Sequence, residues 1–307
     1  MASSAHSSFF NEGPDASSAG PLLRFGARAD ASSSGHWGER FARHVTALLD
    51  RRLVGRVYGG YRLEAVLGQG RFGTCFAARD VRQTDAPAVA MKLVKPRRGG
   101  VDLDAVWAEC AALSMLDCSQ VPCWLGIVHE EALAVDDVSA PGAAQCPYFV
   151  VESLCPGVSL SARLKARERF SDAEITRIGA SLLHAMAHCH ERGVVHGDIR
   201  PANVLATDAG EASLIDFGLA RFAKRDLTPA QRVMASAPDL EGFAETLVFL
   251  LYSDPARVTR KRGATWREEL ALEDAQRALL LDLFADPAAF SSFDEVAARF
   301  RDAFGEA

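Results

Sequence analysis

The spacing of apolar positions divides the chain into stretches with different periods. Between Trp37 and Leu53, the residues Trp37, Phe41, Val45, Leu48 and Leu49 recur at helical spacing, with Glu39, Arg40, Arg43, Arg51 and Arg52 largely elsewhere. This predicts an amphipathic helix. From Tyr61 the period shortens. Residues 61–67 alternate as a strand, 74–79 form a second and 88–94 a third, and further strand pieces fall near 124–129 and 147–152. A Gly/Pro/Ala-rich loop around Pro141 and Gly142 joins the last two. Helices are expected near 103–116 and 172–192, and after about residue 239 the signals are mostly helical. A strand-rich half followed by a helix-rich half predicts an α+β chain of two lobes with a cleft between them.

Composition narrows the class. The 307 residues, 49% of them hydrophobic, suffice for one large or two small domains with a buried core. A net charge of −6 gives no electrostatic reason for a nucleic-acid partner. The longest apolar run, Leu247 to Tyr252, is too short to span a bilayer. The N-terminus lacks the charged head and apolar block of a conventional secretory signal. Residues 1–35, rich in Ser, Ala and Gly, read as a disordered tail, with an export address as the less favoured use. The segment 36–56 then forms a helical extension, which packs on its own domain or, less often, serves a partner. Seven scattered cysteines suit a reducing compartment, so the default location is cytoplasmic, including a host cytoplasm after delivery. Cys118 and Cys123 stand as half a zinc site with no second pair.

Three motifs carry chemistry. Gly68-Gln69-Gly70-Arg71-Phe72-Gly73 lies between two strand signals, where glycines at a hairpin tip let the backbone lie close over phosphates. A dinucleotide fold would instead open a helix at the last glycine. Next, Lys92 stands among apolar neighbours in Val89-Ala90-Met91-Lys92 and needs an anion, either phosphate or carboxylate. Glu109 shares a helical face with Leu113 and Leu116 and should point inward, so a Lys92–Glu109 pair is expected. Finally, His196-Gly197-Asp198-Ile199-Arg200-Pro201-Ala202-Asn203 and Leu214-Ile215-Asp216-Phe217-Gly218 bring two acids and an amide to the ends of apolar segments. Two such oxygens suit magnesium, and a third carboxylate can accept the proton of an attacking hydroxyl.

In this order and spacing the residues resemble the protein-kinase superfamily, in particular bacterial kinases of the eukaryotic type, over about residues 57–304. The resemblance implies a bilobal kinase-like fold, with a small β-rich N-lobe at 57–152 and a helical C-lobe at 153–307. It implies ATP with Mg2+, or Mn2+, as cofactors and a protein substrate. The loop Gly68, Gly70, Gly73 would cover the phosphates, and Lys92, paired with Glu109, would hold them. Asp198 would be the base, Arg200 would meet the transferring phosphoryl group, and Asn203 and Asp216 would bind metal, with Phe217 setting the conformation of Asp216. Leu67, Cys75, Ala90, Glu152, Leu154 and Leu205 would line the adenine slot, with Val151 as gatekeeper.

The sequence departs from the family at several points. Gly197 replaces the usual Arg that answers a phosphate on the activation loop, so activity independent of loop phosphorylation is expected, and a large rate gain on phosphorylating Thr228 or Ser236 would refute it. Arg200 replaces a lysine, exchanging a point charge for a fork. Ala237-Pro238 abuts Asp239, which is read as the start of a buried helix, so the peptide-docking part of the activation segment is largely deleted. Asp286-Pro287-Ala288-Ala289-Phe290 stands where an arginine often pairs with the family's glutamate, so both halves of that pair are absent together. The leading reading is a serine/threonine protein kinase. The second is a small-molecule kinase, since His196-Gly197-Asp198 resembles the aminoglycoside and choline phosphotransferase loop. The third is a pseudokinase acting as a binding module.

Overall fold

The computed structural model describes residues 51–69, 73–94, 103–129, 148–166, 168–224 and 226–306. The tail expected at 1–35, and the helix expected from Trp37 up to residue 50, lie outside them. The described residues form two compact units, one containing those from Arg51 to Cys110 together with Trp124–Leu154, the other containing Ala111–Cys123 and the chain from Cys155.

The first unit is built on antiparallel strands β1 (Val57–Tyr58), β2 (Tyr61–Gln69), β3 (Gly73–Asp80), β4 (Val89–Val94), β5 (Trp124–His129) and β6 (Tyr148–Ser153), in sheet order β1-β2-β3-β4-β6-β5. Alternation decides its faces. Leu63, Phe76, Ala78, Val89, Met91, Phe149 and Val151 pack with Tyr58 into one cluster. On the other side of the sheet, Val150 packs with Val106 and Cys110 of helix α1 (Leu103–Ser114). The strands near 61–67, 74–79, 88–94, 124–129 and 147–152 thus form within two residues of their expected bounds.

The second unit is mainly helical. It contains α2 (Leu160–Lys165), α3 (Asp172–Glu191), α4 (Pro229–Ala235), α5 (Ala237–Leu251), α6 (Trp266–Glu269), α7 (Asp274–Ala285) and α8 (Phe293–Phe304). Helix α3 starts where Ser171 and Glu174 cap each other, and it buries Ile175, Ile178, Leu182, Met186 and Cys189 at spacings of three and four. Two small sheets serve as brackets. Strands β9 (Val204–Ala206), β10 (Ala212–Leu214) and β7 (Val158–Ser159) form one, and β8 (Val194–Val195) with β11 (Arg221–Phe222) forms the other. The loop 196–203 runs from β8 to β9, and 215–220 runs from β10 to β11.

The segment expected to start a helix at Asp239 begins two residues earlier. Ser236 ends α4 and begins α5, and Pro238 fits the first turn because its missing N–H has no intrahelical role there. Helix α4 packs against the short 3-10 turn Pro287–Ala289. Val233 of α4 and Phe290, which follows the turn, are both buried. Among the described residues, no helix is long and apolar enough to cross a membrane.

Candidate active site

In the second unit the expected site residues gather around one buried carboxylate. Asp239, in the first turn of α5, is fully buried. It accepts hydrogen bonds from the His196 amide at 2.8 Å, the Gly197 amide at 2.7 Å and His190 Nε2 at 2.8 Å. Burial pushes its pKa up, but the bonds from His190 and Gly197 and the nearby imidazoles outweigh it and hold it below the usual carboxylate range. His190 therefore presents its Nε2–H, its buried Nδ1 has no hydrogen-bond partner among the described residues, and its ring lies 4.4 Å from that of Phe293.

This anchor sets the loop. Gly197 adopts φ +77°, and a Cβ there would lie 2.7 Å from the Leu219 carbonyl oxygen, so the position suits glycine sterically as well as conformationally. His196 is fully buried, and burial lowers its pKa. Neutral, it bridges two segments: Nδ1 accepts from the Asp198 amide at 3.2 Å, and Nε2–H donates to the Ile215 carbonyl at 3.1 Å. Its ring meets Phe217 edge-on at 4.6 Å, and Phe217 is itself fully buried.

Asp198 is held from both sides. Asn203 Nδ2 donates to its backbone oxygen at 2.9 Å and to its Oδ2 at 2.8 Å, and Arg200 Nε lies 3.3 Å from the same Oδ2. The Asp198 side chain is partly exposed and Arg200 more so. The β9–β10 register pairs Val204 with Leu214, and the Ile215 amide continues the ladder to the Asn203 carbonyl at 2.9 Å. Asn203 and Asp216 therefore leave the same end of one hairpin. Asp216 has φ +68°, the one positive φ at a non-glycine residue among those described. Such strain costs about 1–3 kcal/mol and persists where surrounding contacts over-determine it. With the Asn203 amide nitrogen used on Asp198, its amide oxygen and the Asp216 carboxylate are the hard oxygens at this hairpin end that could serve a cation such as magnesium.

In the first unit, Lys92 Nζ lies 2.6 Å from Glu109 Oε1, and both side chains are buried. Gly73 abuts β4 so closely that a Cβ would lie 2.0 Å from the Leu93 carbonyl oxygen, whereas a Cβ on Gly68 would meet open space. Leu67 falls in a register shift between Val66 and Gly68 and is half exposed, Cys75 stands across from Gly68 on one side and Lys92 on the other, and Leu154 is exposed; Leu205, in the second unit, is partly exposed. Gly70 lies outside the described residues.

One expectation needs correcting. Val151, read as gatekeeper, pairs with Met91 and packs in the cluster on the sheet face away from Lys92. Glu152 pairs with Ala90, two residues from Lys92, and so shares the lysine's face. The strand period of two decides this, and the sequence string did not fix which of two adjacent residues faced which way. Three further contributors were not singled out as site residues. His190 and Asp239 anchor the loop, and Arg232 Nη1 donates to the His190 and Glu191 carbonyls at 3.2 and 3.0 Å, tying α4 to the C-terminal end of α3. The available signal was Asp239 itself, an acid beside the apolar positions Leu240, Phe243 and Ala244 in the first turns of its helix, where a buried charge demands partners.

A model of the protein kinase domain matches residues 61–238, more than half of the chain. The chain is 28% identical over 218 residues to the probable serine/threonine-protein kinase YbdM of Bacillus subtilis, covering 69% of this chain and 77% of that protein. It is 32% identical over 172 residues to the putative CBL-interacting protein kinase 27 of Oryza sativa subsp. japonica, covering 55% of this chain and 38% of the rice protein. It is 26% identical over 172 residues to the serine/threonine-protein kinase C of a Synechocystis strain, covering 52% of this chain and 29% of that protein. The loop geometry, the Lys92–Glu109 pair and these matches agree: the chain belongs to the protein kinase family.

Proposed function

We propose that the chain is an ATP- and magnesium-dependent serine/threonine protein kinase, acting on protein hydroxyls in a cytoplasm. The observation that carries this reading is the constellation at Asp198: a partly exposed carboxylate, fixed by Asn203 at 2.8 Å and flanked by Arg200 at 3.3 Å. A carboxylate so held can accept the proton of an attacking hydroxyl. Arg200, exposed beside it, is positioned to meet the transferring phosphoryl group. Lys92, oriented by Glu109, would hold nucleotide phosphates, and the Gly68–Gly73 loop would cover them. Asn203 and Asp216 would hold the magnesium ion, which when bound supplies charge neutralisation on the phosphates.

A second reading, transfer to a small-molecule hydroxyl, is favoured by one feature. Between Gly218 and Asp239 the described residues include the β11 strand and the short α4 helix that Arg232 ties to α3, which leaves little segment to dock a peptide. The test is transfer from γ-labelled ATP with magnesium to a total lysate, split into protein and small-molecule fractions, with wild type and Asp198→Asn. Label in protein that vanishes with the variant supports the first reading. Asp198-dependent label only in small molecules moves the assignment to the second. Full turnover by Asp198→Asn refutes the base, and nucleotide binding without any transfer indicates a pseudokinase.

A further inference from the structure

The sheet register puts a second acid where Lys92 already has one. Ala90 pairs with Glu152 and Lys92 with Val150, so Lys92 and Glu152 are diagonal neighbours on one face. Diagonal pairs stand about 7–8 Å apart at Cα, within reach of long side chains. All three ionisable groups are buried, at 9% exposure for Lys92, 4% for Glu109 and 8% for Glu152. The Cys110 thiol reports the same cluster: burial, then Glu109 and Glu152, push its pKa up to about 11, while Lys92 pulls against them. Two buried carboxylates in the sheet-and-helix neighbourhood of a single buried ammonium favour sharing the cation.

We propose that Glu152 is a positioning residue that shares Lys92 with Glu109, giving the lysine two carboxylate partners of which either can hold it toward the nucleotide phosphates. The proposal rests on the kinase reading for its consequence but not for its geometry. Glu109, on helix α1, engages the lysine from the helix. Glu152, on β6, engages it along the strand, so the lysine keeps one partner when the other is lost. In a kinase with a single partner, loss of the helix glutamate would leave the ammonium without an anion.

Competitive trace acetylation of the full chain with acetic anhydride, read at the Lys92 peptide by mass spectrometry near pH 9, tests the pairing without any need for activity. Each carboxylate favours the charged, unreactive ammonium, so removing one should raise labelling severalfold. Glu109→Gln and Glu152→Gln should each accelerate labelling of Lys92, and the double variant should exceed both. Equal rates at Lys92 in wild type and Glu152→Gln overturn the proposal. Phosphotransfer supplies the second readout: Glu109→Gln should keep measurable kcat/KM, and the double variant should lose more than the product of the two single losses. Losses that simply multiply also overturn it. Absence of transfer in the wild type would sink the kinase reading while leaving the labelling result decisive.

Discussion

Replacing Asp239 by alanine removes one carboxylate and strands three donors: the His196 amide, the Gly197 amide and His190 Nε2, all at 2.7–2.8 Å. A buried donor left without a partner costs about 1–3 kcal/mol. Three of them sum to about 3–9 kcal/mol. Relief from burying a charge and water entering the vacated space offset part of this, so about 3–5 kcal/mol is expected. That is a large share of the roughly 5–15 kcal/mol that holds a domain together. Asp239→Asn keeps the volume and one acceptor oxygen, and should cost less, about 1–3 kcal/mol. The assay is urea unfolding at pH 7.5, read by changes in the transition of the helical unit, with hydrogen exchange at the Gly197 and Asp198 amides as the local report. Loss of the anchor should also lower turnover more than nucleotide affinity, because it frees the loop that carries Asp198. A cost below about 1 kcal/mol for Asp239→Ala, with the 197–198 amides still protected, would refute the view that this carboxylate holds the loop.

Acid should destabilise the protein through His196. Burial lowers its folded pKa below the unfolded value of about 6.5, so the unfolded chain binds more protons as pH falls through that value, and stability drops. The thermal midpoint should be lower at pH 5.5 than at pH 7.5, and a midpoint that rises would contradict the neutral imidazole. Ser236 is 1% exposed and its hydroxyl donates to the Arg232 carbonyl, so it is closed to modification in the folded protein. Phosphatase treatment should leave the transfer rate unchanged, and a severalfold fall would show that a loop phosphate such as one on Thr228 matters. Gly73→Ala should lower the thermal midpoint by several degrees, because its Cβ would lie 2.0 Å from the Leu93 carbonyl oxygen, whereas Gly68→Ala, whose Cβ meets open space, should leave the midpoint nearly unchanged; similar shifts at both positions would refute the packing argument.

The sequence determined the order of elements and most of the polar chemistry. The alternation from Tyr61 and the helical spacing of Asp172–Glu191 are local consequences of backbone periodicity, so they were legible without any tertiary partner. Lys92 and Glu109 could be matched across 17 residues because each was a charge on an apolar face, a state that requires a partner. The tertiary structure decided what depends on facing and on burial. It turned Val151 away from Lys92 and Glu152 toward it, because strand register reassigns every side chain when the pairing shifts by one residue. It made Asp239 the anchor of the Asp198 loop, a role that arises only when two distant backbone amides and a histidine converge on one oxygen pair. It also buried Ser236 at the junction of two helices. Serine is mostly an exposed residue type, and only the assembled fold supplies the packing that encloses this one.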